Sequence, residues 1–497
     1  MTGEPPPGGG PSGRAAVDGK PRTRYLLPMP TRARAYIPDL LLAAGEVRRG
    51  AALSVVDGRV AAVGEPEIDC QWTRLPGKAI LPGLVSAHSH AFQRAIRGRT
   101  EVRTQGLSDF WSWREAMYRA AAALDPEDVQ VVARMAFHEM ARAGITAVGE
   151  FHYLQRDPNG RIYEDADLLA KVVMRTAREV GLRVVLLRAA YARGGAGTEP
   201  SPVQRRFVDG SPDAVLESLE RLESFVGGDD AAGVGVAPHS VRACPAEWIR
   251  LLAAEARYRG WPLHVHVAEQ PAEVEQCRAE HGVSPVALLD RLEALHEGTT
   301  AVHAIHLSPE DVERLGRARV TVCACPTTER SLGDGVVPAA ELLAAGCALA
   351  LGTDSNVQID PLEDARQLEL NLRLVRLARA VIPVEGDAPA LDALARRLYA
   401  AASAGGMAAL GLDGGALAPG EPADFVVLDL DDPSLAGASA ADLVATAVFS
   451  GSRGAVRDVV VGGEPIVVAG EAAPGRPSGD DVAAEFRATM RKLWGAW

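Results

Sequence analysis

The sequence predicts an α/β protein: a TIM-type (β/α)8 barrel with a small β-sandwich domain built from both chain ends. Three observations carry this expectation. Apolar strand-like runs alternate with amphipathic helical stretches through the middle of the chain. Almost every such run ends on a polar, chemically capable residue, which is where barrel enzymes place their active groups. Short all-β segments flank the alternating region on both sides. A doubly wound open sheet is the structural alternative, but no Gly-rich phosphate fingerprint follows an early strand.

Residues 1–22 are Pro, Gly and charge without periodicity, and are expected to form a disordered tail. Residues 32–78 read as short strands and form the first part of the small β domain. Within them Leu53-Ser-Val-Val-Asp57-Gly58-Arg-Val places Asp57-Gly58 at a hairpin turn. The barrel is assigned to 79–414, with strand ends expected near His88, His152, Tyr191, His239, His266, His303, Cys325 and Asp354. Residues 415–475 return to the strand signature, in Asp424-Phe-Val-Val-Leu-Asp and Val459-Val-Val-Gly-Gly-Glu-Pro-Ile-Val-Val, and complete the small domain. Residues 476–497 are left as a C-terminal helical tail.

Bulk properties narrow the function. A chain of 497 residues with 47% hydrophobic content has enough apolar mass for a large buried core. A formal net charge of -13 argues against nucleic acid or an anionic membrane as partner through the overall field. It leaves room for a small anionic substrate, because a local arginine cluster overrides the global sign. Six scattered cysteines with no CxxC pair and no secretory h-region point to a reduced, cytoplasmic, soluble protein. No stretch approaches the roughly 20 apolar residues of a membrane span.

The chemistry starts at Leu81-Pro-Gly-Leu-Val-Ser-Ala-His88-Ser-His90. Side chains two apart on a strand share a face, so His88 and His90 can close on one ion, and imidazole favours zinc over calcium or magnesium. The plain alternative is two polar residues where a strand meets a loop. Trp261-Pro-Leu-His264-Val-His266-Val-Ala-Glu269 gives a second pair of histidines with a carboxylate three residues on. His266 lies nearer the barrel mouth and is the better ligand, whereas His264 is expected to be packed lower down. His303 falls at the next strand end and His306 in the loop beyond. Ala348-Leu-Ala-Leu-Gly-Thr-Asp354 ends an apolar strand on a carboxylate that could bind metal, or alternatively cap the next helix.

HxH, HxxE, a later His and a terminal Asp together resemble the metal-dependent amidohydrolase superfamily over roughly residues 32–475. The resemblance implies metal ligands His88, His90, His266 and Asp354, with Glu269, His303 and Asp354 as catalytic groups. Binuclear members bridge their metals with a modified lysine on a barrel strand. The lysines here are Lys20, Lys78, Lys171 and Lys492, and none is expected at a strand end, so one zinc per chain is implied. Mononuclear members with HxxE mostly deaminate C=N bonds.

Within the superfamily, Ala91-Phe-Gln93-Arg-Ala, Asp109-Phe-Trp-Ser-Trp-Arg114, Gly149-Glu-Phe-His-Tyr153, Pro238-His239-Ser-Val-Arg242 and Cys325-Pro-Thr-Thr-Glu-Arg resemble the formimidoylglutamate deiminases of histidine degradation. That likeness implies substrate contacts from Gln93, Arg114, Tyr153, His239 and Arg242, a dicarboxylate amidine as the substrate, and a homodimer. Arginine forks suit a substrate with two carboxylates. Arg97, Arg99 and Arg103 are expected on a solvated face, and Trp111 and Trp113 in packing or a lid. The competing enzymatic reading is a mononuclear deaminase acting on a purine, pyrimidine or adenosine-like ring. A catalytically silent scaffold would show degraded ligands, and none of the six metal-site positions is lost.

Overall fold

The computed structural model describes residues 33–65, 70–101, 110–384 and 392–495, so the tail expected at 1–22 and Arg103 lie outside the described residues. The strands of the middle region are β1 (Leu84–Ser89), β2 (Ile145–His152), β3 (Arg183–Ala190), β4 (Ala232–Pro238), β5 (Leu263–Val267), β6 (Thr299–His303), β7 (Thr321–Ala324) and β8 (Ala348–Leu351). They form one eight-stranded sheet in strict sequence order with parallel pairing throughout. Helices separate successive strands, as parallel connection requires. Nearly every residue of these strands is buried, the mark of a sheet covered on both faces.

The sheet closes on itself at one point. Ser89 and Asp354 form an isolated parallel bridge, with the His90 N–H donating to the Asp354 carbonyl (2.8 Å) and the Asp354 N–H to the His88 carbonyl (3.0 Å). Side chains lace the same seam. The Thr353 N–H donates to Ser86 Oγ (3.0 Å) and the Asn356 amide to Ser89 Oγ (3.1 Å).

The two chain ends meet in a second, mixed sheet of nine strands. Ala33–Ala43 pairs in parallel with Gln71–Pro82, and Gln71–Pro82 pairs antiparallel with Phe425–Asp429 from the other end of the chain. Alternation divides its faces. Tyr36, Leu41, Leu53, Ile80, Phe425 and Val427 form a core of their own. Leu40, Leu42, Leu81, Val426 and Leu428 instead join the main core shared with the barrel. A buried ion pair fastens the two sheets: Arg183 on β3 grips Asp424 at 2.5 and 3.0 Å.

The C-terminal helix Gly479–Trp494 packs back on helix α2 (Pro126–Arg142) and on the segment that follows His90. Trp494 Nε1 donates to the Ala95 carbonyl (3.2 Å), and Lys492 pairs with Asp125 and Asp128. This corrects the solvated face expected for the arginines. Arg97 pairs with Glu139 at 2.5 Å and lies over the Phe486 ring, and Arg99 lies over the Trp494 ring. Among the described residues no helix is long and apolar enough to cross a membrane.

Candidate active site

His88 lies on β1, His90 just past it, His266 on β5 and Asp354 just past β8, so all project at the carboxyl end of the barrel. Their ligand-type atoms lie within 4.8 Å of one another. His88 Nε2 is 3.2 Å from His90 Nε2 and 3.1 Å from His266 Nε2, and Asp354 Oδ1 is 3.2 Å from both His88 and His90. Gly352 makes the approach feasible, because a Cβ there would meet His88 Cβ at 2.8 Å. Asp354 and His303 both hold the left-handed backbone region (φ +42° and +69°), unusual for non-glycine residues and typical of constrained functional positions.

The tautomers follow from the backbone. His90 Nδ1 faces the Phe151 carbonyl at 2.8 Å and His266 Nδ1 the His239 carbonyl at 2.9 Å. A carbonyl only accepts, so both Nδ1 atoms carry the proton and both Nε2 atoms present bare lone pairs to one point. Burial drives the His88 pKa down to about 3 and that of His266 well below the ordinary value, keeping these rings neutral. Burial alone would raise Asp354, but the close approach of the His88 and His90 rings holds its carboxyl well below the usual range. Converging neutral imidazoles beside a carboxylate are a donor set for a zinc-class cation.

Around this cluster lies a cavity of about 420 Å³. Glu269, Gln93, Arg114, Tyr153, His239 and Arg242 all line it, as do His303 and Asp354. Glu269 bridges two neighbours, with Oε1 3.8 Å from His303 Nε2 and Oε2 3.4 Å from Arg242. Gln93 donates to the Tyr153 hydroxyl at 2.7 Å. Arg114, on helix α1 (Phe110–Ala123), lies over the rings of Trp111 and Tyr118. Burial opposes charge on Arg242, yet Glu273 and Glu269 raise its pKa above the ordinary value. His239 is pushed well below its usual range by burial and by Arg242, so it faces the cavity neutral.

His264 sits lower in the barrel, bonded to the Ala409 carbonyl, and His306 bonds the Asp334 carbonyl; neither lines the cavity. His152 and Cys325 also close strands without reaching it. Several residues around the site escaped the sequence reading. Glu329 accepts from His303 Nδ1 (3.2 Å) and from the Cys325 N–H (2.8 Å), turning His303 Nε2 toward Glu269. Glu273 accepts the N–H groups of Ala268 and Glu269, and Glu150 that of Ala91. The fully buried Glu150 is pushed up to about 7 by desolvation. Tyr118 and Tyr191 line the cavity, joined by Gln204. Glu150 and Glu329 stand inside quoted motifs, an acid in an otherwise apolar or small-residue run being the available signal.

Residues 79–466 match the amidohydrolase family. A formimidoylglutamate deiminase of Pseudomonas aeruginosa is 40% identical over 414 residues, covering 83% of this chain and 89% of that protein. The crystal structure of an amidohydrolase from Brucella melitensis superposes with a TM-score of 0.84 at 31% identity, over 93% of this chain and 99% of that one. An adenosine deaminase from Xanthomonas campestris, solved with bound zinc, shares the fold with a TM-score of 0.76 at 23% identity, over 93% and 99% of the two chains.

Proposed function

This chain belongs to the amidohydrolase family, and from that premise we propose that it hydrolyses N-formimino-L-glutamate to N-formyl-L-glutamate and ammonia. One observation carries the reading: a single cavity joins the His88, His90, His266 and Asp354 cluster to an acid, Glu269, and to two arginines, Arg114 and Arg242. The likeness to the Pseudomonas deiminase supports the same substrate.

A single zinc held by His88, His90, His266 and Asp354 would supply activation of water at neutral pH. Asp354 takes the proton of the attacking water. His303, aligned by Glu329 at Nδ1, directs Nε2 at the same point. As the water oxygen bonds to the formimino carbon, the C=N electron pair moves to nitrogen, which takes a proton from Glu269. The nitrogen then takes the proton held by Asp354 and leaves as ammonia, while Glu269 accepts the remaining hydroxyl proton and the formyl C=O forms. Before the reaction, Glu269 as carboxylate holds the cationic amidine and takes from it the proton that it returns to nitrogen in the addition step. Arg114 and Arg242 hold the two carboxylates, with Gln93, Tyr153 and His239 completing the polar wall.

The finer features of the proposal are one zinc per chain, a place in histidine degradation, a cytoplasmic location and a homodimer. They rest on the donor set, the lack of a strand-end lysine and the likeness to the deiminases. The test is to incubate zinc-loaded protein with N-formimino-L-glutamate and to measure ammonia and N-formyl-glutamate. Ammonia release no greater than that of Glu269→Gln refutes the reading, and two bound ions per chain refute the mononuclear part. The aromatic lining from Phe110, Trp111, Trp113 and Phe207 favours a second reading, a deaminase of a purine, pyrimidine or adenosine-like ring. A ring substrate has little use for two arginines, so activity surviving both Arg114→Ala and Arg242→Ala would favour it.

A further inference from the structure

Gln204 stands behind the cavity wall, and its orientation is fixed by the backbone. The Ser201 N–H can only donate, and it points at Gln204 Oε1 (2.9 Å), which also accepts from Ser201 Oγ (2.9 Å). The amide nitrogen is therefore the end that faces the tyrosines. It donates to the Tyr191 hydroxyl oxygen at 2.6 Å and to that of Tyr118 at 3.2 Å, with the Gly194 carbonyl at 3.4 Å. Each phenol thus spends an acceptor lone pair on Gln204 and must send its own proton elsewhere. The two hydroxyls share the Gln204 amide nitrogen as a common neighbour. Among the described residues no carbonyl or carboxylate takes either phenol proton, and both side chains line the cavity.

The position of these O–H groups is equally defined. The rings of His266, His239 and Tyr191 follow one another at centroid spacings of 4.9 and 5.0 Å, so Tyr191 lies one ring beyond the residues that abut the metal cluster. Arg114 lies over the Tyr118 ring and adds positive charge at that end. Arg242, by contrast, is tied to Glu269 and Glu273 at the reacting end. In N-formimino-glutamate the side-chain carboxyl carbon is five bonds from the formimino carbon, about 6 Å when extended.

We propose that Tyr118 and Tyr191, aimed by Gln204, form with Arg114 the receptor for the side-chain carboxylate, leaving Arg242 to the α-carboxylate. This rests on the deiminase reading above. The receptor makes the enzyme select a distal anion over a neutral group of the same shape, because the uncharged amide accepts these donors less strongly. The test compares kcat/KM for N-formimino-L-glutamate and N-formimino-L-glutamine in the wild type, Tyr118→Phe, Tyr191→Phe and the double variant. The preference for the glutamate form is expected to fall roughly 10- to 100-fold in the double variant, mainly through KM. An unchanged ratio, whether both activities hold or both fall together, overturns the assignment. Wild-type protein that releases no ammonia from N-formimino-L-glutamate defeats the functional reading itself, an outcome separate from an active enzyme whose preference ignores the two hydroxyls.

Discussion

Replacing Arg242 with Met separates what this residue does for the fold from what it does for the substrate. Its guanidinium is buried, 3.4 Å from Glu269 and 3.8 Å from Glu273. Methionine keeps the hydrophobic stem and removes the positive charge that faces both carboxylates. Breaking a buried pair by removing one partner costs about 3–5 kcal/mol, because the remaining charge is stranded. Glu273 is already raised above the ordinary carboxyl value by burial, against the pull of Arg242, and losing the arginine raises it further. The sign follows. An acid whose folded pKa exceeds its unfolded one stabilises below the unfolded value and loses that contribution as pH rises through the folded value. The deficit of Arg242→Met should therefore be full at pH 7.5 and shrink toward pH 4, where Glu273 is protonated in both states. Urea unfolding of wild type and variant at pH 7.5, 6 and 4.5 measures this directly. A deficit that is constant across that range, or absent at pH 7.5, refutes the argument. On N-formimino-L-glutamate the folded variant should lose roughly 10- to 100-fold in kcat/KM for the missing charged contact.

Other consequences are equally open to measurement. Glu269→Gln should lower kcat by roughly 10²- to 10⁴-fold, the usual worth of a positioned proton donor, while zinc content by elemental analysis stays at the wild-type level. His88→Ala removes a ligand from the centre of the cluster, and both bound zinc and the thermal midpoint should fall; retention of stoichiometric zinc would argue against the ligand set. Arg183→Met leaves Asp424 charged and buried between the two sheets, and should destabilise by about 3–5 kcal/mol in urea without changing KM. Glu329→Gln keeps an acceptor oxygen for His303 Nδ1 and should retain far more activity than Glu329→Ala, which strands two buried N–H donors.

Much of this was legible because the key residues punctuate strands. His88, His266, His303 and Asp354 each end an apolar run, so their shared face follows from the period of two and from barrel topology. What stayed hidden acts through partners remote in sequence. Arg97 reads as a surface charge until Glu139 and Phe486 arrive beside it, the latter on a helix near the far end of the chain. Gln204 matters only because the segment after Tyr191 returns to the cavity wall, and no periodicity encodes that return. Glu329 differs from a helix-cap acid only through the imidazole that the fold brings to it. The junction of the two chain ends could be expected from matching strand signatures, but not the pairing of Gln71–Pro82 with Phe425–Asp429 that welds them.

The barrel's one-point closure makes the proposed metal a latch as well as a reagent. His88 and His90 sit on one lip of the seam and Asp354 on the other, so an ion shared by them cross-links positions at opposite ends of the barrel's chain. Ties that close long loops remove the most freedom from the unfolded chain. The seam, rather than the helices behind it, is then the place where the ring of strands would first come undone when the ion is stripped, with amide exchange rising earliest at His90 and Asp354.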